Sequence, residues 1–180
     1  SLIPGTVGAS PIQNIGAYGV EVKDCIESVE GLYLDTGEMF QLEKEACRFG
    51  YRDSVFKNEL KHKVFISHVV FRLCRKPSFK LDYGKLKEAL DAKGEISLQT
   101  IREAVIEIRE AKLPDPDKIG NAGSFFKNPV VNETHLQLIQ KDYPNAPYYT
   151  QEDGYKIPAG WLIDTAGWKG YRKGDAGVHK

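Results

Sequence analysis

Two prolines stand one residue apart in Leu113-Pro-Asp-Pro-Asp117, and they limit the possible folds more than any other feature of the chain. Proline has no N–H to donate and its ring clashes with the preceding turn, so no helix or central strand can run through this point. Just before it, Ile101, Ala104, Val105 and Ile108 form an apolar stripe at helical spacing, and Thr100 and Glu103 are placed as a capping box. The pattern predicts a helix that starts at Thr100 and stops near Lys112. Leu113–Asp117 then becomes the expected hinge or domain boundary.

Strand signals concentrate ahead of that boundary. Ile26–Leu34 and Glu38–Leu42 flank Asp35-Thr36-Gly37 and read as a hairpin. Lys63–Leu73 is the clearest strand. Phe65, Val69, Phe71 and Leu73 alternate with Val64, Ile66 and Val70, which predicts cover on both faces and a structural role for His68. Pro77–Gly94 reads as a charged, aromatic excursion leading into a short helix. Beyond the boundary, Asn132 is placed to cap a helix to about Lys141 with Leu136 and Ile139 buried. Tyr143–Tyr149 reads as an extended loop, and Ala159–Asp164 as a short buried helix stopped at Gly167. Mixed strand and helix with the strands early predicts an α+β fold.

Composition excludes several classes. Lys+Arg and Asp+Glu are both 25, so the chain lacks the basic excess of a nucleic-acid binder, and no nucleic-acid partner is expected. No apolar run approaches the roughly 18 to 20 residues of a membrane helix, and the opening Ser-Leu-Ile-Pro-Gly has no secretory pattern. Cys25, Cys47 and Cys74 are odd in number and widely spaced, which suits a reducing compartment and gives neither a disulfide framework nor a zinc pattern. The expected setting is the cytoplasm, without a membrane partner.

Two motifs carry the candidate chemistry. In Cys47-Arg-Phe-Gly-Tyr-Arg-Asp-Ser54, Arg52 could grip a carboxylate through two parallel hydrogen bonds, or pair at the surface with Asp53. In Asn121-Ala-Gly-Ser-Phe-Phe-Lys-Asn-Pro129, Ser124 could deliver a proton to a strong developing base, or serve as a turn or cap residue. No Gly-x-Ser-x-Gly elbow surrounds Ser124, which argues against a hydrolase triad. The loop Ile3–Gly19 could form an anion-binding nest or an ordinary connection. Lys112, Lys127, Asn128 and Lys156 could hold a diphosphate or simply be solvated, and Tyr148 and Tyr149 could stack on a base or cover a core.

Five segments in order resemble the UDP-N-acetylenolpyruvoylglucosamine reductase (UDP-N-acetylmuramate dehydrogenase) family: Ile3–Gly19, Cys47–Ser54, Lys112–Pro116, Gly123–Pro129 and Ala159–Asp164. The resemblance implies a bacterial, cytoplasmic, monomeric enzyme of peptidoglycan precursor synthesis. It would use NADPH and FAD to reduce an enolpyruvyl ether on a UDP-sugar. It implies that residues 1–112 are part of an FAD-binding domain of the vanillyl-alcohol-oxidase (PCMH) type and residues 113–180 part of an α+β substrate-binding domain. Arg52 matches the carboxylate-binding arginine and Ser124 the proton donor. Gly5, Thr6, Val7, Gly8, Ser10, Gln13, Asn14, Gly16 and Tyr51 match the cofactor site. Tyr83 matches a loop that closes over substrate, and Lys112, Asn128, Tyr149 and Lys156 match positions around the UDP moiety.

The family also has an upstream FAD-binding segment and a downstream acidic residue that assists protonation. The expectation is therefore an internal piece whose parent is active and which alone binds FAD weakly and does not turn over. Two rival readings are a UDP-sugar binding module without redox chemistry and another FAD oxidoreductase of the same fold.

Overall fold

The computed structural model describes residues 1–82, 85–91 and 93–180, so Tyr83 lies outside the described residues. The chain divides into two compact units, Ser1–Lys112 and Leu113–Lys180, parting directly before Leu113, at the start of the two-proline segment. Helices and strands mix in both, and the architecture is α+β.

In the first unit a small hairpin, β1 (Gly16–Ala17) and β2 (Val20–Glu21), precedes three longer strands, β3 (Ile26–Tyr33), β4 (Met39–Glu43) and β5 (Val64–Phe71). These pair antiparallel in the order β4-β3-β5. The β3–β4 turn forms where its residues demand it. Gly37 takes φ 73°, the Asp35 carboxylate accepts from the Thr36 N–H at 2.9 Å, and the Thr36 hydroxyl accepts from the Glu38 N–H at 3.2 Å. Val29, Phe40, Cys47, Val55 and Phe56 are buried together beneath the sheet. Gly31 is opposite Phe40 in the register, and a Cβ there would come within 2.7 Å of the Phe40 ring. Only glycine lets that ring lie across β3.

The expectation of cover on both faces of β5 fails. Val64, Ile66 and Val69 pack against the core, whereas Phe65 and Phe71 are exposed, as is Leu73 just beyond the strand. Strict alternation cannot put both Ile66 and Val69 inside. The register explains how it happens: Gly31 pairs with Ile66 and Glu30 with His68, leaving Ser67 as an extra residue that switches which side chains point inward. His68 is exposed beside this bulge, with Nδ1 at 3.0 Å from the Ser67 hydroxyl, rather than serving a core.

A second core joins α1 (Leu86–Asp91) to α2 (Leu98–Glu110) through Leu86, Leu90, Ala104 and Val105, with Ile101 and Ile108 at its margin. The start of α2 also corrects the sequence reading. Ser97, not Thr100, is the cap. Its hydroxyl accepts from the Thr100 N–H at 3.2 Å, and the Thr100 hydroxyl accepts from the Ser97 N–H at 2.9 Å. Glu103 turns to Gln99 at 2.6 Å instead of reaching back to a cap. Two overlapping cap signals compete here, and the one that lets Leu98 begin the helix prevails.

In the second unit, β6 (Val130–Val131), β7 (Tyr149–Gln151) and β8 (Gly154–Lys156) form an antiparallel sheet in the order β6-β8-β7. Helix α3 (Glu133–Asp142) is capped as expected, the Asn132 side chain accepting from the His135 N–H at 2.9 Å. Leu136 is buried, while Ile139 is only half-buried. Helix α4 (Ala159–Thr165) buries Ala159, half-buries Trp161, Leu162 and Ile163, and exposes Gly160, Asp164 and Thr165, so it is less buried than expected. Its Trp161 meets Tyr143 edge-on at 5.6 Å, and Gly167 ends it at φ 75°. A short hairpin follows, β9 (Arg172–Lys173) and β10 (Ala176–Gly177). Among the described residues no helix is long and apolar enough to cross a membrane, and no cluster of His, Cys, Asp or Glu could hold a metal.

The three cysteines differ in setting: Cys47 buried, Cys25 half-buried and Cys74 exposed. Burial, with the Glu43 and Glu45 carboxylates nearby, pushes the Cys47 thiol from 9.0 up to about 11. The folded chain thus keeps this proton to higher pH than the unfolded chain. The stability it contributes is complete below pH 9 and is lost as the pH rises toward 11. In thiol labelling at about pH 8, Cys74 is expected to react at once and Cys47 only when the first unit opens. Equal rates at the two positions would contradict this packing.

Candidate functional site

Arg52 lies at the tip of a turn closed by reciprocal main-chain bonds between Gly50 and Asp53, at 3.0 and 3.3 Å. Its backbone is left-handed, φ 54°, a conformation unusual for a side chain of this size. The guanidinium reaches back to the opening loop, donating through Nη2 to the Gly16 carbonyl at 2.5 Å and through Nη1 to the Asn14 carbonyl at 3.5 Å. The Tyr51 ring centroid lies 5.3 Å from its central carbon. Lys57 Nζ donates to the Arg52 carbonyl at 2.8 Å. The reading of a surface pair with Asp53 is replaced: Asp53 accepts from Asn58 at 3.0 Å, and Arg48 pairs with Glu59 at 2.9 Å. Neutral carbonyls orient Arg52 without cancelling its charge, which leaves it suited to a carboxylate.

The opening loop is tied to this turn at two further points. Ser54 Oγ donates to the Ile12 carbonyl at 2.6 Å and accepts from the Phe56 N–H at 3.2 Å. Asn14 Nδ2 donates to the Gly50 carbonyl at 2.9 Å and to Glu21 at 3.0 Å, while Oδ1 accepts from the Lys23 N–H at 3.1 Å. These links were not legible. Gly16, Asn14 and Ser54 all sit in the quoted motifs, but bonds across nearly forty residues leave no spacing signal.

The other residues matched to the cofactor site fall into two groups. Gly5, Thr6, Val7 and Gln13 are exposed, and Gly8, Gly16 and Tyr51 are half-buried. Ser10 and Asn14 are buried, and their side chains bond inward, Ser10 Oγ donating to the Val7 carbonyl at 2.7 Å. The exposed part of this group in the opening loop is thus Gly5–Val7 and Gln13. A cavity of about 1030 Å³ opens elsewhere in the unit, lined by Tyr18, Arg72, Phe79, Ile101 and Arg102, and it includes Gly16 but not Arg52. Lys80 pairs with Asp24 at 3.2 Å, anchoring the segment that leads toward Tyr83. Burial would raise the Asp24 carboxyl, but the Glu21 N–H and Lys80 outweigh it and hold the group below its ordinary value.

In the second unit Ser124 is exposed and follows Gly123, whose φ is 63°. The Asn121 side chain accepts from the Gly123 N–H at 3.1 Å, which fixes the turn. Phe125 and Phe126 are exposed and meet edge-on at 5.1 Å. Asn128 Oδ1 accepts from the Ala159 N–H at 2.9 Å, joining the serine loop to the start of α4. On the sheet, Lys156 is opposite both Val130 and Tyr149, with Nζ 5.8 Å from the Tyr149 ring centroid and 3.5 Å from Gln151. The neighbouring Tyr155 hydroxyl donates to Glu133 at 2.6 Å, and that bond holds its proton, raising its pKa above the ordinary tyrosine value. The fold thus groups Asn128, Tyr149 and Lys156 in the second unit, while Lys112 is exposed at the end of the first.

Residues 115–180 match the family model of the UDP-N-acetylenolpyruvoylglucosamine reductase C-terminal domain. A protein of that name from Amoebophilus asiaticus is 51% identical over 182 residues, covering 99% of this chain and 54% of the relative. Another, from Pseudomonas aeruginosa, is 49% identical over 183 residues, covering 99% and 53%. The crystal structure of UDP-N-acetylenolpyruvylglucosamine reductase from Thermus caldophilus superposes with a TM-score of 0.59 at 25% identity, covering 99% of this chain and 47% of that one. The chain spans about half the length of the curated relatives it matches.

The Asn128 bond predicts a stability effect separable from any ligand. Asn128→Ala leaves the Ala159 N–H without its acceptor and is expected to cost about 1 kcal/mol of stability in the second unit, while Asn128→Asp keeps the acceptor and costs less. Equal melting of both variants with the parent would refute the capping role.

Proposed function

We propose that the chain is part of a UDP-N-acetylenolpyruvoylglucosamine reductase and that the whole protein reduces the enolpyruvyl ether of UDP-N-acetylglucosamine enolpyruvate to the lactyl ether of UDP-N-acetylmuramate. NADPH is the reductant and FAD the carrier, and the reaction belongs to peptidoglycan precursor synthesis in the bacterial cytoplasm. In this reading Ser1–Lys112 contributes to an FAD-binding domain of the vanillyl-alcohol-oxidase type, and Leu113–Lys180 contributes to the substrate-binding domain.

The observation that carries the reading is Arg52, oriented by two main-chain carbonyls with its charge uncancelled, in a chain about half identical to reductases of that name. The opening loop fits a cofactor bearing phosphates. Gly5–Val7 is exposed main chain, and a Cβ at Gly5 would meet nothing within 4 Å, so a ligand can approach the backbone closely. Held by this loop, FAD would supply hydride-transfer chemistry between NADPH and the enolpyruvyl C3.

The chain's own residues do the rest. Arg52 holds the substrate carboxylate by two parallel bonds and stabilises the negative charge that develops across C2 and the carboxylate as C3 gains hydride. Ser124 donates its hydroxyl proton to C2, completing addition of one hydride and one proton across the double bond, and regains a proton from solvent. A carbanion-like centre is basic enough for a serine to serve as the acid. Lys156 supplies a point charge to the diphosphate beside the Tyr149 ring, and Asn128 Nδ2 remains a donor after Oδ1 has capped α4.

Two variants of the full-length protein test these roles. Ser124→Ala is expected to leave flavin reduction by NADPH within about twofold of normal and to slow flavin reoxidation by substrate about a hundredfold or more. Equal loss in both half-reactions would remove Ser124 as the proton donor. Arg52→Lys is expected to raise KM for the enolpyruvyl substrate about tenfold or more, because lysine cannot reproduce the two-point grip. An unchanged KM would remove Arg52 from the carboxylate site.

A further inference from the structure

We propose that Asn14 is the positioning residue for Arg52, fixing the guanidinium for the substrate carboxylate rather than touching a ligand with its own side chain. This rests on the reading of Arg52 given above. Asn14 is completely buried, and its amide is consumed inside the protein. Both Nδ2 hydrogens are used, one on Gly50 and one on Glu21, and Oδ1 takes the Lys23 N–H. Its backbone is left-handed, φ 45°, which asparagine tolerates better than most side chains.

One residue therefore controls Arg52 from both ends. The Nδ2 bond holds the Gly50 carbonyl at the base of the turn that presents Arg52. The Asn14 carbonyl meets the guanidinium at Nη1, and the Gly16 carbonyl, two residues on, takes Nη2. Two of the five guanidinium donors are thereby fixed, leaving three for a ligand in a set orientation. Ser54 offers the contrast. It ties the same two segments through the Ile12 carbonyl but makes no bond to the guanidinium. Loss of either residue should loosen the segments, and only loss of Asn14 should disorient Arg52.

The test uses the full-length protein, with Kd and KM for the UDP-sugar enolpyruvate measured beside thermal midpoints. Asn14→Gly keeps the left-handed backbone and removes the amide. It is expected to raise Kd and KM about tenfold while flavin reduction by NADPH stays normal. In an Arg52→Lys background the same change should add less than about twofold. Ser54→Ala should lower the midpoint and leave KM unchanged. The proposal is overturned if Asn14→Gly behaves like Ser54→Ala, or if its effect multiplies fully with that of Arg52→Lys. Should Asn14→Gly not fold, Asn14→Asp retains the shape and the Lys23 bond but sets an acceptor against the Gly50 carbonyl. The same rise is then expected, and a normal KM would overturn the role. A normal KM in Arg52→Lys would defeat the carboxylate reading itself and the positioning role with it, whereas a normal KM in the Asn14 variants alone would defeat only the latter.

Discussion

Polar bonds between segments nearly forty residues apart hold the candidate site of the first unit in place. Asn14 to Gly50, Arg52 to Gly16 and Ser54 to Ile12 join the opening loop to the Cys47–Ser54 turn. Each segment has little regular structure of its own: a single 3-10 turn at Val7–Ala9 and the two-residue β1 in the opening loop, and a single bridge between Gly50 and Asp53 in the other. Asn14 and Ser54 are buried, and a buried amide or hydroxyl is tolerable only when its bonds are made. The contacts that keep Asn14 from being a liability also set the direction of Arg52, whereas the Ser54 bond joins the two segments without touching the guanidinium. Stability and chemistry meet in one small network, and the left-handed backbone at both Asn14 and Arg52 is the geometry it requires.

The second unit is organised differently. There the polar candidates are displayed on a small sheet and a tight loop, with Asn128 serving as cap to α4 and Tyr149 opposite Lys156. Ser124 is exposed on a turn shaped by Asn121 and Gly123. An exposed serine hydroxyl gives up its proton only to a strongly basic centre. The chemistry is thus divided. In the proposed reading the first unit contributes the oriented positive charge of Arg52, and the second contributes the Ser124 proton and the residues around the sugar diphosphate.

Legibility followed the range of each interaction. Pro114 and Pro116 act on their own neighbours, and the break between units lies beside them. Asp35-Thr36-Gly37 and Asn132 act within three residues, and both the hairpin and the α3 cap formed where those residues indicated. The α2 cap was misplaced by one turn because two local signals overlapped. The Ser67 bulge was missed because an extra residue in one strand is defined only against its partner. Arg52 and Ser124 could be singled out as residue types able to handle an anion and a proton. The roles proposed for them come from the family resemblance, and the supports around Arg52 come only from the fold.

The most direct test of the account is the structure of the full-length protein with UDP-N-acetylglucosamine enolpyruvate bound. The account predicts the enolpyruvyl carboxylate on the Arg52 guanidinium, with the Asn14 and Gly16 carbonyls still holding its other face and the Ser124 hydroxyl directed at C2. A carboxylate held by other residues, with Arg52 turned away from the substrate, would contradict it.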